Sequence, residues 1–509
     1  MWEPFDIGMI PHRFFTNVLL FIELKVRPSS LKKGESTNMK KLKVKGMQLV
    51  DEDENQVLLN GLCFICRDRE KDYLEPNIEE KLEVFAKRGF NLIRLGIFWD
   101  GVEPQPGVYD DVYLDKVGKV VQTAEQHGIY VFLDMHQDLF SVKFIDGAPE
   151  WATLDEGLDH SADNAIWYEA YLKSPAVIKA ADNFWANRKA ADGIGLLDHY
   201  EAMWTYIAQK FHGFSNIIGF EPMNEPYMGS IAPQAFGAAI EAIRQNNPTF
   251  DIANAAAAAP EERDLMLDTL TEHFDKFDKE ILMPFYNRIL RAVRKVCDIP
   301  LVTGANIYGT TVKTGIGKLT DSHGSVDTQQ IYAPHGYDSV VDTDRYGEYN
   351  KENVRNIFAQ KRTSQHELQL PVIVGEWGNF PSGNYTDGLI RHMTEILEKY
   401  LWSSTYHQYV DGMENDQNYR SLERGYPVRI AGRLITYHYD YEKKVLTAKW
   451  EAKKNGKTIL YMPDLSAIRN PDLPVSMKSE VAIEPFKDAP GGFVSIVALE
   501  DGMLEAVIG

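Results

Sequence analysis

Ile129-Tyr-Val-Phe-Leu-Asp134-Met-His136-Gln-Asp138 is an apolar run that ends in four polar side chains within five residues. Such a run is too short for a core helix and reads as a strand buried on both faces. Just before it, Leu114, Val117, Val121 and Ala124 form a helical stripe that stops at Gly128. The same helix-then-strand unit recurs on both sides. Upstream lie strands over 57–65 and 90–98, separated by the stripe Ile78, Leu82, Phe85 and Ala86, which closes at Gly89. Downstream, a long helical region containing Trp185 and Trp204 leads to a fourth strand over 216–221. Further strands follow over 300–304, 329–334 and 371–375, with an eighth within 402–410. Eight apolar strands alternating with helices predict an α/β chain whose parallel sheet closes into a (β/α)₈ TIM barrel.

The rhythm sets the boundaries. Residues 1–38 carry no repeated pattern and read as an extension; Met39, followed by Lys-Lys and a strand-like stretch, is a candidate start. The barrel is expected over 39–425, with an Ala-rich helical insertion at about 230–280. After residue 425 the pattern changes to alternation with turns such as Asn455-Gly456, which predicts an antiparallel β-sandwich over 426–509. At 509 residues a second domain is expected on size alone. The net charge of −20 argues against nucleic acid or an anionic membrane surface as partner. The apolar run 18–22 is too short for an integral membrane segment and makes a weak signal peptide. Only three cysteines occur, Cys63, Cys66 and Cys297, which argues against a secreted disulfide framework. The expected location is cytoplasmic. Cys63 and Cys66 have redox or zinc half-site spacing, but no second pair exists and their apolar run makes them core residues.

Barrel enzymes work at the C-terminal ends of their strands. Reading past each strand gives Arg94, then Asp134, His136 and Asp138, then Asn224-Glu225-Pro226, His335-Gly-Tyr337, and Gly375-Glu376-Trp377-Gly378. Glu225 and Glu376, on the fourth and seventh strands, are a carboxylate pair suited to glycoside hydrolysis, with Glu225 as acid/base and Glu376 as nucleophile. Asn224 is placed to reach a sugar 2-hydroxyl, Tyr337 to donate to Glu376, and Arg94 to depress its pKa. His136 and His335 are expected to bond carboxylates or sugar hydroxyls. His136, Asp138 and His335 lack a metal-site spacing such as HExxH, and Gly315-Ile-Gly317 lacks the strand and helix of a dinucleotide site. No metal or cofactor is expected.

These motifs resemble glycoside hydrolase family five of clan A, and within it the endoglycoceramidases and their relatives. The narrower resemblance rests on Trp99-Asp-Gly-Val-Glu-Pro-Gln-Pro-Gly107, Asp134-Met-His-Gln-Asp-Leu-Phe-Ser141, Asp146-Gly-Ala-Pro-Glu-Trp-Ala152 and Asp182-Asn-Phe-Trp-Ala-Asn187, and spans roughly 56–465. It implies a retaining double displacement and a barrel followed by a β-sandwich. It also implies a carbohydrate or glycolipid substrate, a β-glucoside of ceramide or a sterol in the relatives. By position, Asp134, His136 and Asp138 would hold the sugar, and Trp185 would line the cleft. The chain departs from the family at Arg67-Asp-Arg-Glu-Lys71, where an apolar-Lys stretch is usual, and at Tyr406-His407-Gln-Tyr409, where a Trp is usual. A β-glucosidase or endo-β-glucanase acting on soluble oligosaccharides is the alternative, and a carbohydrate-binding relic barrel a third reading. The sequence does not speak to oligomeric state.

Overall fold

The computed structural model describes residues 39–160, 167–250, 258–310, 315–468 and 475–509. The extension expected over 1–38 lies outside these residues, as does part of the helical insertion, 251–257. Three short antiparallel strands come first: Lys43–Lys45 (β1), Gln48–Val50 (β2) and Gln56–Val57 (β3). Eight parallel strands follow: Asn60–Phe64 (β4), Leu92–Phe98 (β5), Tyr130–His136 (β6), Ile217–Glu221 (β7), Leu301–Thr303 (β8), Gln330–Tyr332 (β9), Ile373–Gly378 (β10) and Ser403–His407 (β11). Hydrogen bonding runs β10-β11-β4-β5-β6-β7-β8-β9, and two parallel bridges, Tyr332 with Val372 and His335 with Glu376, close the ring. The chain is a TIM barrel, and its seam sets His335 beside Glu376.

Every residue of β4 to β11 is buried, which is why these strands read as continuous rather than alternating apolar runs. Helix stripes such as Leu114, Val117 and Val121 seal their outer faces. The inward face at the bottom of the barrel packs Leu92, Phe132, Ile218, Val302, Ile331 and Ile373 on Leu42, Val44 and Leu49 of the N-terminal strands.

One expected strand divides in two. The apolar run 57–65 breaks at Leu58, because β3 turns away from the barrel and pairs with Tyr426–Ile430 (β12). The remaining strands are Gly432–Asp440 (β13), Val445–Ala452 (β14), Lys457–Met462 (β15), Ser479–Pro485 (β16), Gly492–Ala498 (β17) and Gly502–Ile508 (β18). They form a sheet β1-β2-β3-β12-β15-β17-β16 and a second sheet β13-β14-β18, with Leu446, Trp450, Leu460, Val494, Ile496 and Leu504 between them. The β-sandwich therefore draws strands from both ends of the chain. The expected units 39–425 and 426–509 are corrected accordingly: 43–57 belong to the sandwich sheet, because β3 supplies the edge that β12 needs.

The two bodies join through buried polar groups. Tyr426 donates its hydroxyl to the Gly89 carbonyl at 2.7 Å, and Gly89, at φ +83°, leaves room for the Tyr461 ring, which would lie 2.2 Å from a Cβ. Arg424, 3% exposed, meets Glu398 of the helix Thr386–Tyr400 at 3.3 Å. The insertion forms helices Ile231–Arg244 and Pro260–Phe277. Their Phe236 and Phe274 hold Tyr308, Phe274 stacking on it at 5.0 Å. Among the described residues no helix is long and apolar enough to cross a membrane.

Candidate active site

A cavity of about 540 Å³ opens at the C-terminal end of the barrel. Of the residues read from the strand ends, His136, Asp138, Asn224, Glu225, Tyr337 and Glu376 line it. Glu376 is the fourth residue of β10, and Glu225 sits four residues past the end of β7 with φ +39°. A non-glycine residue at positive φ is strained, and such strain concentrates at functional sites. It is held here by Gln137, whose side-chain amide donates to the Asn224 and Glu225 carbonyls at 2.8 and 3.0 Å.

The two carboxylates approach to within 4.8 Å through one oxygen each, with a His335 nitrogen inside the same limit. Their surroundings differ in sign. Glu376 accepts from Arg94 Nη1 at 2.6 Å and from the Tyr337 hydroxyl at 2.7 Å. Burial works against its charged form, yet His407, His335 and Arg94 hold it well below the usual carboxylate range. Arg94 is the permanent charge among these, since burial pushes His407 down to about 4 and keeps it neutral. Glu225 has one strong partner, His335 Nδ1 at 2.9 Å. Burial, joined by the charge of Glu376, pushes its carboxyl up despite that bond.

Two expectations are corrected by position, those for Asp134 and Trp185. Arg94, read as depressing the Glu376 pKa, and Asp134, read as holding the sugar, are both fully buried beneath the cavity floor. Arg94 spends its guanidinium on Glu376, on Glu221 at 2.7 Å, on the Asn224 side-chain oxygen at 2.8 Å and on Asp134 at 3.0 Å. Asp134 turns its other oxygen to His136 Nδ1 at 2.7 Å, so it orients a cavity residue without reaching the cavity. Trp185 lies outside the cleft, because its indole N–H donates to the Tyr227 carbonyl at 2.7 Å and its ring packs on Phe277 and Phe285. His335 takes the first of the two roles expected of it, bonding the Glu225 carboxylate through Nδ1 at 2.9 Å.

Several lining residues were not among the candidate site residues, Arg67 and His407 being noted only as departures from the family. Arg67, just past β4, lies 2.7 Å from Asp138 and 3.1 Å from the buried Asp146, and its Nη1 is 3.3 Å from Gln408. His407 is the last residue of β11, and Gln408 follows it across a cis peptide. The strand-end rule applied to the first and eighth strands would have found all three. Trp167, Tyr168, Tyr171, Ile307, Tyr308 and Val341 form an apolar wall, and no local signal marks them because they come from long connections. His136, Asp138 and Asp146 converge as metal ligands do, but the Arg67 guanidinium already sits among them as the cation. Burial opposes a charge on His136, but Asp134 and Asp138 push its pKa up to about 10.

Comparison with known proteins adds to this geometry. The model of a family described as cellulase (glycosyl hydrolase family 5) matches residues 50–409. An endoglycoceramidase of Cyanea nozakii is 31% identical over 209 residues, 36% of this chain and 40% of that protein. An endoglycoceramidase of Hydra vulgaris is 29% identical over 422 residues, 75% of this chain and 71% of that one. The chain thus spans about two fifths of the first relative and most of the second. Among solved structures, endo-glycoceramidase II from Rhodococcus sp. in its ganglioside GM3 complex superposes with a TM-score of 0.71 at 20% identity, over 91% of this chain and 99% of that one.

Proposed function

The chain belongs to glycosyl hydrolase family 5, and from that premise we propose that it is a retaining β-glycosidase acting on a β-glucoside with a lipid-like aglycone. The observation that carries the mechanism is the pair of carboxylates within 4.8 Å, one pushed toward protonation and the other held ionised. Retention requires carboxyl groups about 5 Å apart, whereas inversion needs roughly 6.5–9.5 Å for a water between them. In the first step Glu376 attacks the anomeric carbon while Glu225 gives its proton to the departing glycosidic oxygen. A glycosyl ester on Glu376 results. In the second step Glu225, now a carboxylate, takes a proton from water as that water attacks the same carbon and Glu376 leaves. His335, its pKa raised by Glu376 and Glu225 against burial, supports the charged form of Glu225 between the steps.

The cavity supports an amphipathic substrate. Its polar end, built by Arg67, His136, Asp138, His407 and Gln408, suits sugar hydroxyls. Its other wall, with Ile307, Tyr308, Val341 and Tyr171, suits an apolar leaving group. The relatives named endoglycoceramidase agree with that choice. A cytoplasmic location is also proposed, supported by the three unpaired cysteines. A 2-deoxy-2-fluoro-β-glucoside with a good leaving group is expected to label Glu376, read by peptide mass, and Glu376→Gln to abolish turnover. Label on another residue would overturn the mechanism. Equal rates on glucosylated lipids and on cello-oligosaccharides would remove the lipid part of the proposal and favour the soluble-substrate alternative.

A further inference from the structure

Glu221 ends β7, four residues ahead of Glu225, and is 2% exposed. Its two oxygens face different members of the site. Oε2 accepts from Arg94 Nε at 2.7 Å, and Nη1 of the same guanidinium holds Glu376 at 2.6 Å. Oε1 lies 3.9 Å from His335 Nε2, and Nδ1 of the same ring holds Glu225 at 2.9 Å. One carboxylate thus stands behind the partner of each catalytic glutamate.

The imidazole has little freedom to turn away. It lies against the backbone of β10, where a Cβ added to Gly375 would stand 2.8 Å from Nε2. Nε2 is buried and has no hydrogen-bond partner among the described residues, and Glu221 is the carboxylate on its side. A void of about 10 Å³ is bounded by Glu221, Glu225, Asn306, Tyr332 and His335. It has room for one water at most, so bulk solvent does not screen the pair.

Arg94 and Asp134 face Glu221 from β5 and β6, and Tyr286 turns its hydroxyl to the Gly304 carbonyl. Glu376 lies 3.6 Å from His335 Nδ1, and Asp138 adds its charge near Glu225. Burial pushes the Glu221 carboxyl up to about 7 against the pull of Arg94. Its charge is therefore present on the alkaline side of neutrality, where Glu225 has to keep its proton.

We infer that Glu221 is a positioning residue for both catalytic glutamates, gripping Arg94 beneath Glu376 and supplying the counter-charge to His335 behind Glu225. The inference rests on the glycosidase reading above. A negative charge at this place acts on Glu225 by two routes of opposite sign. Through space it raises the Glu225 pKa. Through His335, whose cation stabilises the Glu225 carboxylate, it lowers it. The ring stands between the two carboxylates, and the second route dominates.

The test is the pH dependence of kcat/KM on an aryl β-glucoside. Glu221→Gln keeps the shape of the side chain and removes its charge. Its alkaline limb is expected to lie about one pH unit above that of the wild-type protein. Glu221→Asp, which keeps the charge, is expected to hold the limb near the wild-type position. In a His335→Asn background, Glu221→Gln is expected to leave the limb where that background puts it. Thermal denaturation checks that each variant folds. Should Glu221→Gln not fold, the ¹⁵N resonances of the His335 ring in the wild-type protein carry the test. A cationic ring at neutral pH supports the inference, and a neutral ring overturns it. A limb that stays or falls in Glu221→Gln, or that rises equally without His335, would also overturn it. Absence of β-glycoside turnover by the wild-type protein would instead overturn the glycosidase reading beneath it.

Discussion

Removing the Tyr337 hydroxyl tests the electrostatic division between the two glutamates most directly. That hydroxyl donates to Glu376 Oε2 at 2.7 Å while Arg94 holds Oε1 at 2.6 Å, so Tyr337→Phe takes away one of two short bonds and leaves the other. A hydrogen bond to a charged group contributes about 1.5–3 kcal/mol. Because it acts on the ionised form only, its loss raises the Glu376 pKa, and each 1.36 kcal/mol corresponds to about one pH unit. The carboxylate remains ionised at neutral pH because Arg94 stays in place. The expected result is an acid limb of kcat/KM that moves upward by about one to two pH units. The alkaline limb, which reports Glu225, should stay where it is. The assay is the pH dependence of kcat/KM on an aryl β-glucoside, with circular dichroism at each pH to confirm folding. An unmoved acid limb, or movement of the alkaline limb alone, would refute the assignment of Glu376 as the ionised partner.

Glu225→Ala should slow glucosides with poor leaving groups by about 10²–10⁴-fold and those with good ones much less, because only the former need a proton in the first step. Added azide should then restore turnover of the activated substrates and yield a β-glycosyl azide; an α-azide would contradict a retaining mechanism. At the join between barrel and sandwich, Glu398→Ala leaves Arg424 buried with Tyr437 as its remaining polar contact, and also frees His438 from its 2.9 Å bond. Stripping one partner from a buried ion pair costs about 3–5 kcal/mol. A drop in denaturation midpoint of less than a degree or two would show the pair to be energetically idle.

How much of this was legible without coordinates depends on the range over which each feature is encoded. The barrel was legible because strand burial and helix periodicity are local: 129–138 states both the buried strand and its polar end within ten residues. Glu225 and Glu376 were legible for the same reason, each sitting where an apolar run stops. Arg67, His407 and Gln408 obey that rule too, and were noted only as departures from the family pattern, the eighth strand being bounded less sharply than the others. The run 57–65 looked like one strand since apolarity does not say which sheet a residue joins; only the pairing of β3 with β12, some 370 residues later, divides it. Depth was equally hidden. Arg94 and Asp134 share the alternation of cavity residues, but the barrel's tilt and closure put them beneath the floor, where they orient Glu376 and His136. Trp185 shows the converse, an aromatic near the cleft turned outward by a carbonyl and two phenylalanines. The sequence by itself determined the strands, the helices and the two catalytic candidates, because those follow from period and composition. The tertiary structure decided the sugar compartment, from Arg67 with its two aspartates to Gln408, because its parts come from connections whose meeting depends on ring closure and not on any local pattern.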